Sequence, residues 1–407
     1  MSDSTMRPIR ETIALAEAMA LLNEAAIPID RTERVPIRDA NNRVLAQDAT
    51  SALDVPPFDR AAMDGYAVLA ADTFGAGRYD PKVLRVIDKV YTGQVSSRRV
   101  TPGECIEIAT GAPMPEGADA VVVVEETEKG DGSDVRVFTP VYPRQHVGRR
   151  AADIAAGQTV LASGDLLNPS RIGALAATGV LEVEVFAKPR IAILSTGDEI
   201  VEPGRPLGPG QIYDINQFTL STIIGAHGGV AVMGPTAPDS LQGLTAALDA
   251  AIAEDVIVFS GGSSVGERDL IMDALQRAGE VIFHGIAVKP GKPTIFGTIG
   301  RKPVFGMPGY PTSCLSNAYL LLVPLLRRMA RLPDYQPHSV QLPLVRRVVS
   351  TTGRHQFYTV RIADGTAVPA FKASGDITSM AHADGYFEIP AQTDIVEAGE
   401  IVDVKLF

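Results

Sequence analysis

Apolar and amphipathic segments alternate along the middle of the chain, from about residue 190 to residue 332. Short runs rich in β-branched residues predict strands, at residues 191–194, 230–233, 256–259, 281–283 and 294–296. Longer stretches with helical periodicity predict helices near residues 216–226, 239–253 and 269–278. This alternation predicts a doubly wound, mostly parallel α/β sheet, in which ligands bind at the carboxyl ends of the strands.

The flanking regions have different patterns. Leu15, Met19 and Leu22 recur at helical spacing, so residues 11–26 are predicted to form an amphipathic helix that packs within the N-terminal third. Alternating short runs predict strands, at residues 33–38, 44–46, 83–87, 105–108, 120–124 and 135–138. A helix is predicted at residues 170–178, a long apolar helix within residues 306–331, and strands again from residue 340 onwards.

These patterns predict a multidomain protein that combines α/β and β architecture. The predicted parts are a discontinuous N-terminal α+β domain (residues 1–55 and 141–185), a small β insert (56–140), a doubly wound, mostly parallel α/β domain (186–332) and a C-terminal β-domain (333–407).

Charge and composition narrow the range of functions. The 407-residue chain has a formal net charge of −11, which argues against nucleic acid or an anionic membrane as a partner, because phosphate groups require a basic face. The longest apolar run, residues 318–326, is much shorter than the roughly 20 residues that span a bilayer. The first eleven residues lack the apolar core of a signal peptide. With only Cys105 and Cys314, far apart in sequence, we expect a cytoplasmic protein without disulfides.

A glycine-rich turn follows the predicted strand at residues 256–259, in the sequence VIVFSGGSSVGERD. Gly261, Gly262 and Gly266 allow positive φ angles and close approach of the backbone to a ligand. Free amides and the positive end of the following helix favour an anion there, most simply a phosphate. The alternative is an ordinary turn between a strand and a helix, which also needs a glycine or two.

Carboxylates follow several strands of the predicted sheet. Asp198 and Glu199 come after the first strand, Asp239 after the second and Asp269 after the third. Because parallel strands end at one edge of a sheet, these acids are expected to converge and to hold Mg²⁺. Asp239 and Asp269 are also placed to serve only as helix N-caps, and that alternative stays open.

Two lysines form a second candidate anion site. Lys289 and Lys292 flank Pro290-Gly291 in AVKPGKP, a segment that cannot be helical and is predicted to form a stiff hairpin. A clamp on an oxyanion is one interpretation, and a solvated hairpin tip is the other. Asp64, Thr110 and residues 150–153 are ambiguous, since each is also explained as part of a turn. No histidine pair has metal-binding spacing, and neither a GxSxG elbow nor a GxxxxGK[ST] loop is present.

The motifs in chain order resemble those of a known family. They are FDRAAMDGYAV (58–68), TGAPMPEGADAVVVVEET (110–127), STGDE (195–199), GQIYDIN (210–216), SGGSSVGERD (260–269), AVKPGKP (287–293) and GMPGYP (306–311). In this order they are similar to the molybdopterin molybdenumtransferases, a family that includes the C-terminal region of gephyrin. The resemblance extends through nearly the whole chain.

This resemblance implies a fold, an activity and partners. The fold is an elongated four-domain subunit in a homodimer, with residues 186–332 as the molybdopterin-binding domain and a cleft shared between subunits. The activity is Mg²⁺-dependent insertion of molybdate into adenylylated molybdopterin with release of AMP, the last step of molybdenum cofactor biosynthesis. The molybdopterin adenylyltransferase is then expected as a transient partner.

The resemblance also implies roles for individual residues. The expected catalytic residues are Asp64, Glu199, Asp269, Lys289 and Lys292. The expected substrate-binding residues are Thr110, Asp153, Ser260, Gly261, Gly262, Ser264, Gly266, Pro308, Pro311, Ser313, Ser374 and Ser379. The expected metal ligands are Glu199, Asp239 and Asp269. Within these sets, Lys289, Lys292 and Ser313 are expected to face molybdate.

Three residues depart from the family's usual pattern. Tyr310 replaces an asparagine, Thr359 stands where an arginine is expected with Arg361 two residues later, and Asp376 adds an acid to a serine-rich stretch. These departures predict an altered oxyanion site. Two other functions remain as alternatives: a carrier that binds molybdopterin or the finished cofactor without catalysis, and an assembly scaffold of the gephyrin kind.

Overall fold

The computed structural model of the chain describes Ile9 and residues 11–261 and 270–407. Its contacts divide the chain into two compact units. The first comprises Met1–Glu33, Asn42–Val44 and Phe186–Phe407, and the second comprises Arg34–Asn41 and Leu45–Val185. Among the described residues, no helix is long and apolar enough to cross a lipid bilayer.

The helices and strands are as follows. The α-helices are α1 (Leu15–Ala25), α2 (Pro169–Ala177), α3 (Asn216–Ala226), α4 (Leu241–Ala251), α5 (Leu270–Ala278), α6 (Pro311–Asn317), α7 (Val323–Met329) and α8 (Thr378–Ala381). The first group of strands is β1 (Thr32–Pro36), β2 (Ala49–Thr50), β3 (Arg60–Ala61), β4 (Gly65–Val68), β5 (Lys82–Val90), β6 (Glu104–Ile108), β7 (Ala120–Val123), β8 (Thr127–Lys129), β9 (Asp134–Val137), β10 (Val147–Gly148), β11 (Thr159–Leu161) and β12 (Glu182–Phe186). The second group is β13 (Arg190–Ser195), β14 (Ile200–Val201), β15 (Ile212–Tyr213), β16 (Val230–Met233), β17 (Val256–Ser260), β18 (Glu280–His284), β19 (Val288–Lys289), β20 (Ile295–Ile299) and β21 (Lys302–Met307). The third group is β22 (Ser339–Pro343), β23 (Val348–Val349), β24 (His355–Ala363), β25 (Thr366–Pro369), β26 (Gly385–Ile389), β27 (Ile395–Val396) and β28 (Ile401–Leu406).

The second unit contains a β-sheet with strand order β7-β4-β6-β5-β9-β8. The strands predicted at residues 83–87, 105–108, 120–124 and 135–138 are confirmed in this sheet, and β4 and β8 are added to them. The strand predicted at residues 44–46 is wrong, because Leu45 forms only an isolated bridge with Val185. Gly65 begins β4 because a Cβ atom there would lie 1.9 Å from the carbonyl oxygen of Val122 on β7. The Asp64-Gly65 pair therefore marks a close approach of two strands as well as a turn.

The first unit contains the predicted doubly wound sheet, with strand order β16-β13-β17-β21-β20-β18. Strands β16, β13, β17 and β21 run parallel to one another, while β20 pairs antiparallel with β21 and β18 pairs antiparallel with β20 at one edge. Helices α4 and α5 cover one face, and helices α1, α3 and α7 cover the other. The prediction of a mostly parallel α/β sheet is confirmed, but strand β21, which lies at its centre, was not predicted.

The N-terminal helix packs differently from the sequence prediction. Residues Ala18 and Leu22 of α1 are buried in the same cluster as Ile191 of β13 and Leu326 of α7. The helix itself is confirmed, but its expected partner within the N-terminal third is wrong. Its apolar face is buried on the α/β sheet, and the main-chain N–H of Ile29 donates to the carbonyl of Met329 at 2.8 Å.

The C-terminal part of the first unit is a second sheet, with strand order β19-β24-β26-β28-β22 and with β25 paired to β24. Its edge strand β19 carries Lys289 and pairs in parallel with β24, where Lys289 lies opposite Gln356. The two-lysine segment is the loop of a β-hairpin, because the strands on either side of it, β18 and β20, pair antiparallel with His284 opposite Ile295. The predicted hairpin is therefore confirmed, and the pairing of its β19 part with β24 is an addition to it. The segment is a loop closed by a bond from the N–H of Ile286 to the carbonyl of Lys292, and it extends from an edge strand.

Candidate functional site

Three loops meet at the carboxyl ends of the parallel strands β13, β17 and β21. Gly261 has a φ of +105°, and a Cβ atom there would lie 2.4 Å from the carbonyl oxygen of Thr196. A Cβ atom on Gly309 would lie 3.4 Å from the Cα of Gly261. The first position accepts only glycine, since a larger residue would be strained and would collide with backbone. We call the contact of Thr196, Gly261 and Gly309 the loop junction.

Residues before and at the start of α3 hold the loop junction together. The side-chain amide of Asn216 donates to the carbonyl of Gly309 at 2.8 Å. The hydroxyl of Ser195 donates to the carboxylate of Asp214, which also accepts the N–H of Gln217 at 3.0 Å. Asp214 and Asn216 belong to the GQIYDIN motif, but neither was predicted as a site residue.

Two buried polar atoms at the loop junction have no hydrogen-bond partner in the part of the chain that the structure describes. They are Oγ1 of Thr196 and Oδ1 of Asn216. Burying a hydrogen-bonding group without a partner is costly, so such atoms are rare away from functional sites. The neighbouring Ser260 directs its hydroxyl to the thiol of Cys314, which is completely buried.

A small acidic cluster borders the loop junction. The N–H of Asp239 donates to the carboxylate of Asp198 at 3.4 Å, and the carboxylate of Glu199 lies over Gly197, 2.5 Å from where a Cβ atom would be. Partial burial and then the nearby charges of Asp198 and Glu199 raise the pKa of Asp239. The N-cap of α4 is Ser240, whose hydroxyl accepts the N–H of Gly243 at 3.0 Å, so the alternative role of Asp239 as a cap is wrong.

This acidic cluster fits Mg²⁺ but does not form a closed metal cage. Within residues 11–261 and 270–407, no group of three His, Cys, Asp or Glu side chains is arranged to hold a metal ion. Mg²⁺ is commonly held by one or two carboxylates together with substrate phosphates and water, so a closed cage is not required. Like-charged carboxylates that raise a neighbour's pKa are relieved by a cation.

The raised pKa of Asp239 predicts that its ionised carboxylate lowers the stability of the fold at neutral pH when no cation is bound. A carboxyl whose folded-state pKa is raised favours folding below its unfolded pKa, and this contribution is lost as pH rises through the folded value. At pH 7 without Mg²⁺ we therefore expect Asp239→Asn to have a higher thermal midpoint than the unmodified protein, with the difference shrinking toward about pH 4. The variant should also gain less stability from added Mg²⁺. Differential scanning fluorimetry across pH measures both effects.

Asp249→Asn is the matched control, because it removes the same charge from an exposed position on α4. A lower midpoint for Asp239→Asn at pH 7 would mean that the fold favours the ionised carboxylate, which contradicts the expectation.

Helix α6 begins at the loop junction and contacts the serine-rich loop of residues 373–379. The N–H of Thr312 donates to the carbonyl of Ser374 at 3.1 Å. Its hydroxyl donates to the carbonyl of Asp376 at 3.1 Å and lies 3.3 Å from the hydroxyl of Ser379. The structure thus brings Ser374 and Ser379 to the N-terminal end of α6, which starts at Pro311 and contains the buried Ser313.

The three departures from the family pattern occupy different surroundings. Tyr310 precedes α6 and is 65% exposed, with its ring beside Gly375 of the serine-rich loop. The carboxylate of Asp376 accepts the N–H of Ala373 at 3.4 Å within that loop. Thr359 is completely buried and its hydroxyl has no partner among the described residues, whereas Arg361 is exposed.

The two lysines have separate contacts. The ammonium of Lys289 donates to the hydroxyl of Thr351 at 2.7 Å, and that of Lys292 donates to the carbonyl of Ile9 at 2.9 Å. Thr351 was not predicted, and no local motif could have indicated it, because it is 62 residues away in sequence. It places a hydroxyl beside a cation, which is a suitable pair for an oxyanion.

Three more predicted residues, Asp64, Thr110 and Asp153, belong to the second unit. In the second unit, the carboxylate of Asp64 accepts the N–H of Thr110 at 2.7 Å and its hydroxyl at 2.9 Å, and these two bonds lower the pKa of Asp64. Asp153, also in the second unit, is exposed and donates its N–H to the carbonyl of Val55. Pro308 is buried directly after β21. The other predicted residues, Gly262, Ser264, Gly266 and Asp269, lie outside the described residues.

Family models match successive parts of the chain. The MoeA N-terminal region (domain I and II) matches residues 13–179, a probable molybdopterin binding domain matches residues 192–328, and the MoeA C-terminal region (domain IV) matches residues 341–407. The middle match contains the parallel sheet, the loop junction and both lysines. Fold and site together therefore define a multidomain protein of the MoeA type.

Similar proteins of known identity specify the family within this class. Molybdopterin molybdenumtransferase 2 of Mycobacterium tuberculosis is 36% identical over 91% of this chain and 94% of its own length. The molybdopterin molybdenumtransferase of Haemophilus influenzae is 31% identical over 93% and 94% of the two chains. A solved molybdopterin biosynthesis MoeA protein from Pyrococcus horikoshii covers 97% of this chain and 99% of its own, with 41% identity and a TM-score of 0.84. The chain belongs to the molybdopterin molybdenumtransferase family, which is a family of enzymes.

Proposed function

We propose that this enzyme inserts molybdate into adenylylated molybdopterin in a Mg²⁺-dependent reaction that releases AMP and yields molybdenum cofactor. The observation that carries the proposal is the loop junction, where close-packed glycine backbone borders an acidic cluster at the carboxyl ends of parallel strands. Such a crevice is where doubly wound sheets bind phosphate-bearing ligands. Membership of the molybdopterin molybdenumtransferase family supports the same reaction.

Molybdate is a tetrahedral dianion and needs local positive charge on this acidic protein. Lys289 supplies an ammonium group, and Thr351 lies 2.7 Å from it as a hydroxyl partner that molybdate would share. Ser313 and Lys292 complete the proposed oxyanion site, in line with the family resemblance. Hydrogen bonds that involve a charged group are stronger than neutral ones, so the two lysines should contribute more to molybdate affinity than the hydroxyls of Thr351 and Ser313.

The phosphate side of the reaction is assigned to the loop junction and the acids beside it. Glu199 and Asp239 are proposed to hold Mg²⁺, together with Asp269 from outside the described residues. When bound, Mg²⁺ would offset the negative charge that develops on the departing phosphate. Gly261 permits the backbone to approach the phosphoanhydride, and Thr196 and Asn216 offer polar atoms that lack partners in the described structure.

The decisive experiment is an assay of AMP release. The purified protein is incubated with adenylylated molybdopterin and Mg²⁺, with and without sodium molybdate, and AMP is quantified by chromatography. We expect AMP release that depends on molybdate and is abolished by chelating Mg²⁺. Tight binding of the adenylylated pterin without molybdate-dependent AMP would instead identify the carrier function.

We also propose an oligomeric state and a cellular location for this enzyme. The proposed enzyme is a cytoplasmic homodimer that receives its substrate by transient contact with the molybdopterin adenylyltransferase. Sedimentation velocity of the purified protein tests the dimer, and a sedimenting species with the mass of one 43.1 kDa chain would contradict it.

A further inference from the structure

Asn317 is the last residue of α6, and its side chain is completely buried. Its amide nitrogen donates to the carbonyl of Gly291 at 2.8 Å and to the hydroxyl of Thr294 at 2.6 Å. Both acceptors belong to the loop that carries Lys289 and Lys292. The side chain therefore bonds to the tip of the two-lysine segment across 26 and 23 residues of sequence.

The fit around Gly291 is close. Gly291 has a φ of +104°, and a Cβ atom there would lie 2.3 Å from the amide nitrogen of Asn317 and 2.5 Å from its oxygen. The hydroxyl of Thr294 donates to the same Gly291 carbonyl at 2.9 Å. Asn317 and Thr294 thus hold one carbonyl from two directions, directly between the lysines.

Stability alone does not account for a buried amide at this position. The side-chain oxygen of Asn317 has no hydrogen-bond partner within the described ranges, and burying such an atom is unfavourable. An apolar residue at the end of this otherwise well-packed helix would avoid that cost. What the amide provides is a defined position for the Gly291 carbonyl.

A lysine ammonium is a point charge on a flexible stem, so its direction depends on where the backbone holds the Cα atom. Lys289 is held on one side by the pairing of β19 with β24, where it lies opposite Gln356. On the other side the chain turns through Pro290 to Gly291, which Asn317 fixes. The two restraints together determine the direction of the Lys289 side chain toward Thr351.

We propose that Asn317 is a positioning residue of the oxyanion site, which acts through Gly291 to aim Lys289 at molybdate. This inference rests on the proposed function, because it assigns the lysine loop to molybdate. It adds a residue from the far end of α6 to that site. Helix α6 then connects the two halves of the reaction, since its N-terminal end adjoins the loop junction and its last residue holds the lysine loop.

The test compares Michaelis constants for the two substrates. Asn317→Ala should raise the KM for molybdate by about ten-fold to a hundred-fold, because small displacements of a charged contact are costly. The KM for adenylylated molybdopterin should change by less than about two-fold. In a Lys289→Ala background, adding Asn317→Ala should have almost no further effect on the molybdate KM, since residues that act through one another are not additive.

Matched variants separate positioning from general loosening. Thr294→Val removes the second bond to Gly291 and should raise the molybdate KM, while Thr294→Ser keeps the hydroxyl and should restore it. Leu321 is fully buried in the π-helical segment Ala318–Leu322, which continues α6 directly, and Leu321→Ala makes a cavity there one turn beyond Asn317. It should lower the thermal midpoint and leave the molybdate KM unchanged. The Thr294 pair also decides the question if Asn317→Ala does not fold.

Two results would overturn the inference: a wild-type molybdate KM in both Asn317→Ala and Thr294→Val, or an equal rise for both substrates that follows the loss of thermal stability. An unchanged molybdate KM in Lys289→Ala would instead contradict the assignment of Lys289 to molybdate in the proposed function.

If the wild-type protein releases no AMP, the proposed function fails. Isothermal titration with sodium molybdate then tests the positioning role directly, and equal affinity of wild type and Asn317→Ala would reject it.

Discussion

Replacing Lys289 by alanine is expected to raise the molybdate concentration for half-maximal turnover by about a hundred-fold. Removing one partner of a hydrogen bond to a charged group costs roughly 1.5–3 kcal/mol, which corresponds to about ten-fold to a hundred-fold in affinity. The ammonium of Lys289 already donates a hydrogen bond to the hydroxyl of Thr351 at 2.7 Å. The chain has a net charge of −11, so no general field of positive charge can replace it. Steady-state AMP release at varied molybdate and saturating adenylylated molybdopterin measures the change.

Arg301→Ala is the matched control for Lys289→Ala. Arg301 is exposed and lies in the turn between β20 and β21, at the end of the sheet opposite the loop junction. It removes the same charge and should leave the molybdate requirement unchanged. If Lys289→Ala instead weakened adenylylated molybdopterin and left molybdate unaffected, the lysine would belong to the phosphate side of the reaction.

Replacing Gly261 by alanine is expected to lower kcat/KM for adenylylated molybdopterin by about a hundred-fold or more, since a backbone shift of about 1 Å at a reacting centre can cost that much. A side chain at a φ of +105° is strained, and its Cβ atom would lie 2.4 Å from the carbonyl oxygen of Thr196. Backbone cannot rotate away as a flexible side chain can, so the loops from β13 and β17 must separate. The strain itself should cost roughly 1–3 kcal/mol of stability. Single-turnover AMP release and thermal unfolding measure the two effects.

Gly300→Ala provides the comparison for Gly261→Ala. Gly300 also has a positive φ, +60°, but a Cβ atom there would meet nothing within 4 Å. In Gly300→Ala the backbone is strained but no atoms collide, so the free energy of unfolding should fall by about 1 kcal/mol and turnover should be unchanged. Equal activity losses in the two variants would show that any strained glycine disturbs catalysis, and would remove the special role of the loop junction.

Features that depend on neighbouring residues were predictable from the sequence. Residues 256–259 are apolar and β-branched, and they form the central strand β17; residues 216–226 have a helical pattern and form α3. Gly261 was identifiable from the sequence as a point of close backbone approach, because glycine tolerates positive φ angles. Its φ of +105° in the structure agrees with this prediction. Convergence of acids after parallel strands was also predictable, and Asp239 lies close enough to Asp198 and Glu199 to respond to their charge.

Features that depend on distant residues required the tertiary structure. The apolar run at 302–307 could be a strand or part of a turn, and only its pairing with β17 and β20 makes it the strand β21. The pattern of α1 indicates an apolar face but not which surface buries it. The hairpin that carries the two lysines was predictable from its proline and glycine, but the pairing of its β19 part with β24 was not, because that partner is distant in sequence.

The same division applies to the candidate site. By itself the sequence determined the class of fold, the order of the motifs and the residue types that suit phosphate, cation and oxyanion, because these follow from local backbone preference and side-chain chemistry. Only the tertiary structure decided that Thr351 meets Lys289 and that Asn317 holds Gly291, 62 and 26 residues apart. Such hydrogen bonds form wherever folding brings a donor close to an acceptor, and the spacing of residues along the chain does not predict these contacts.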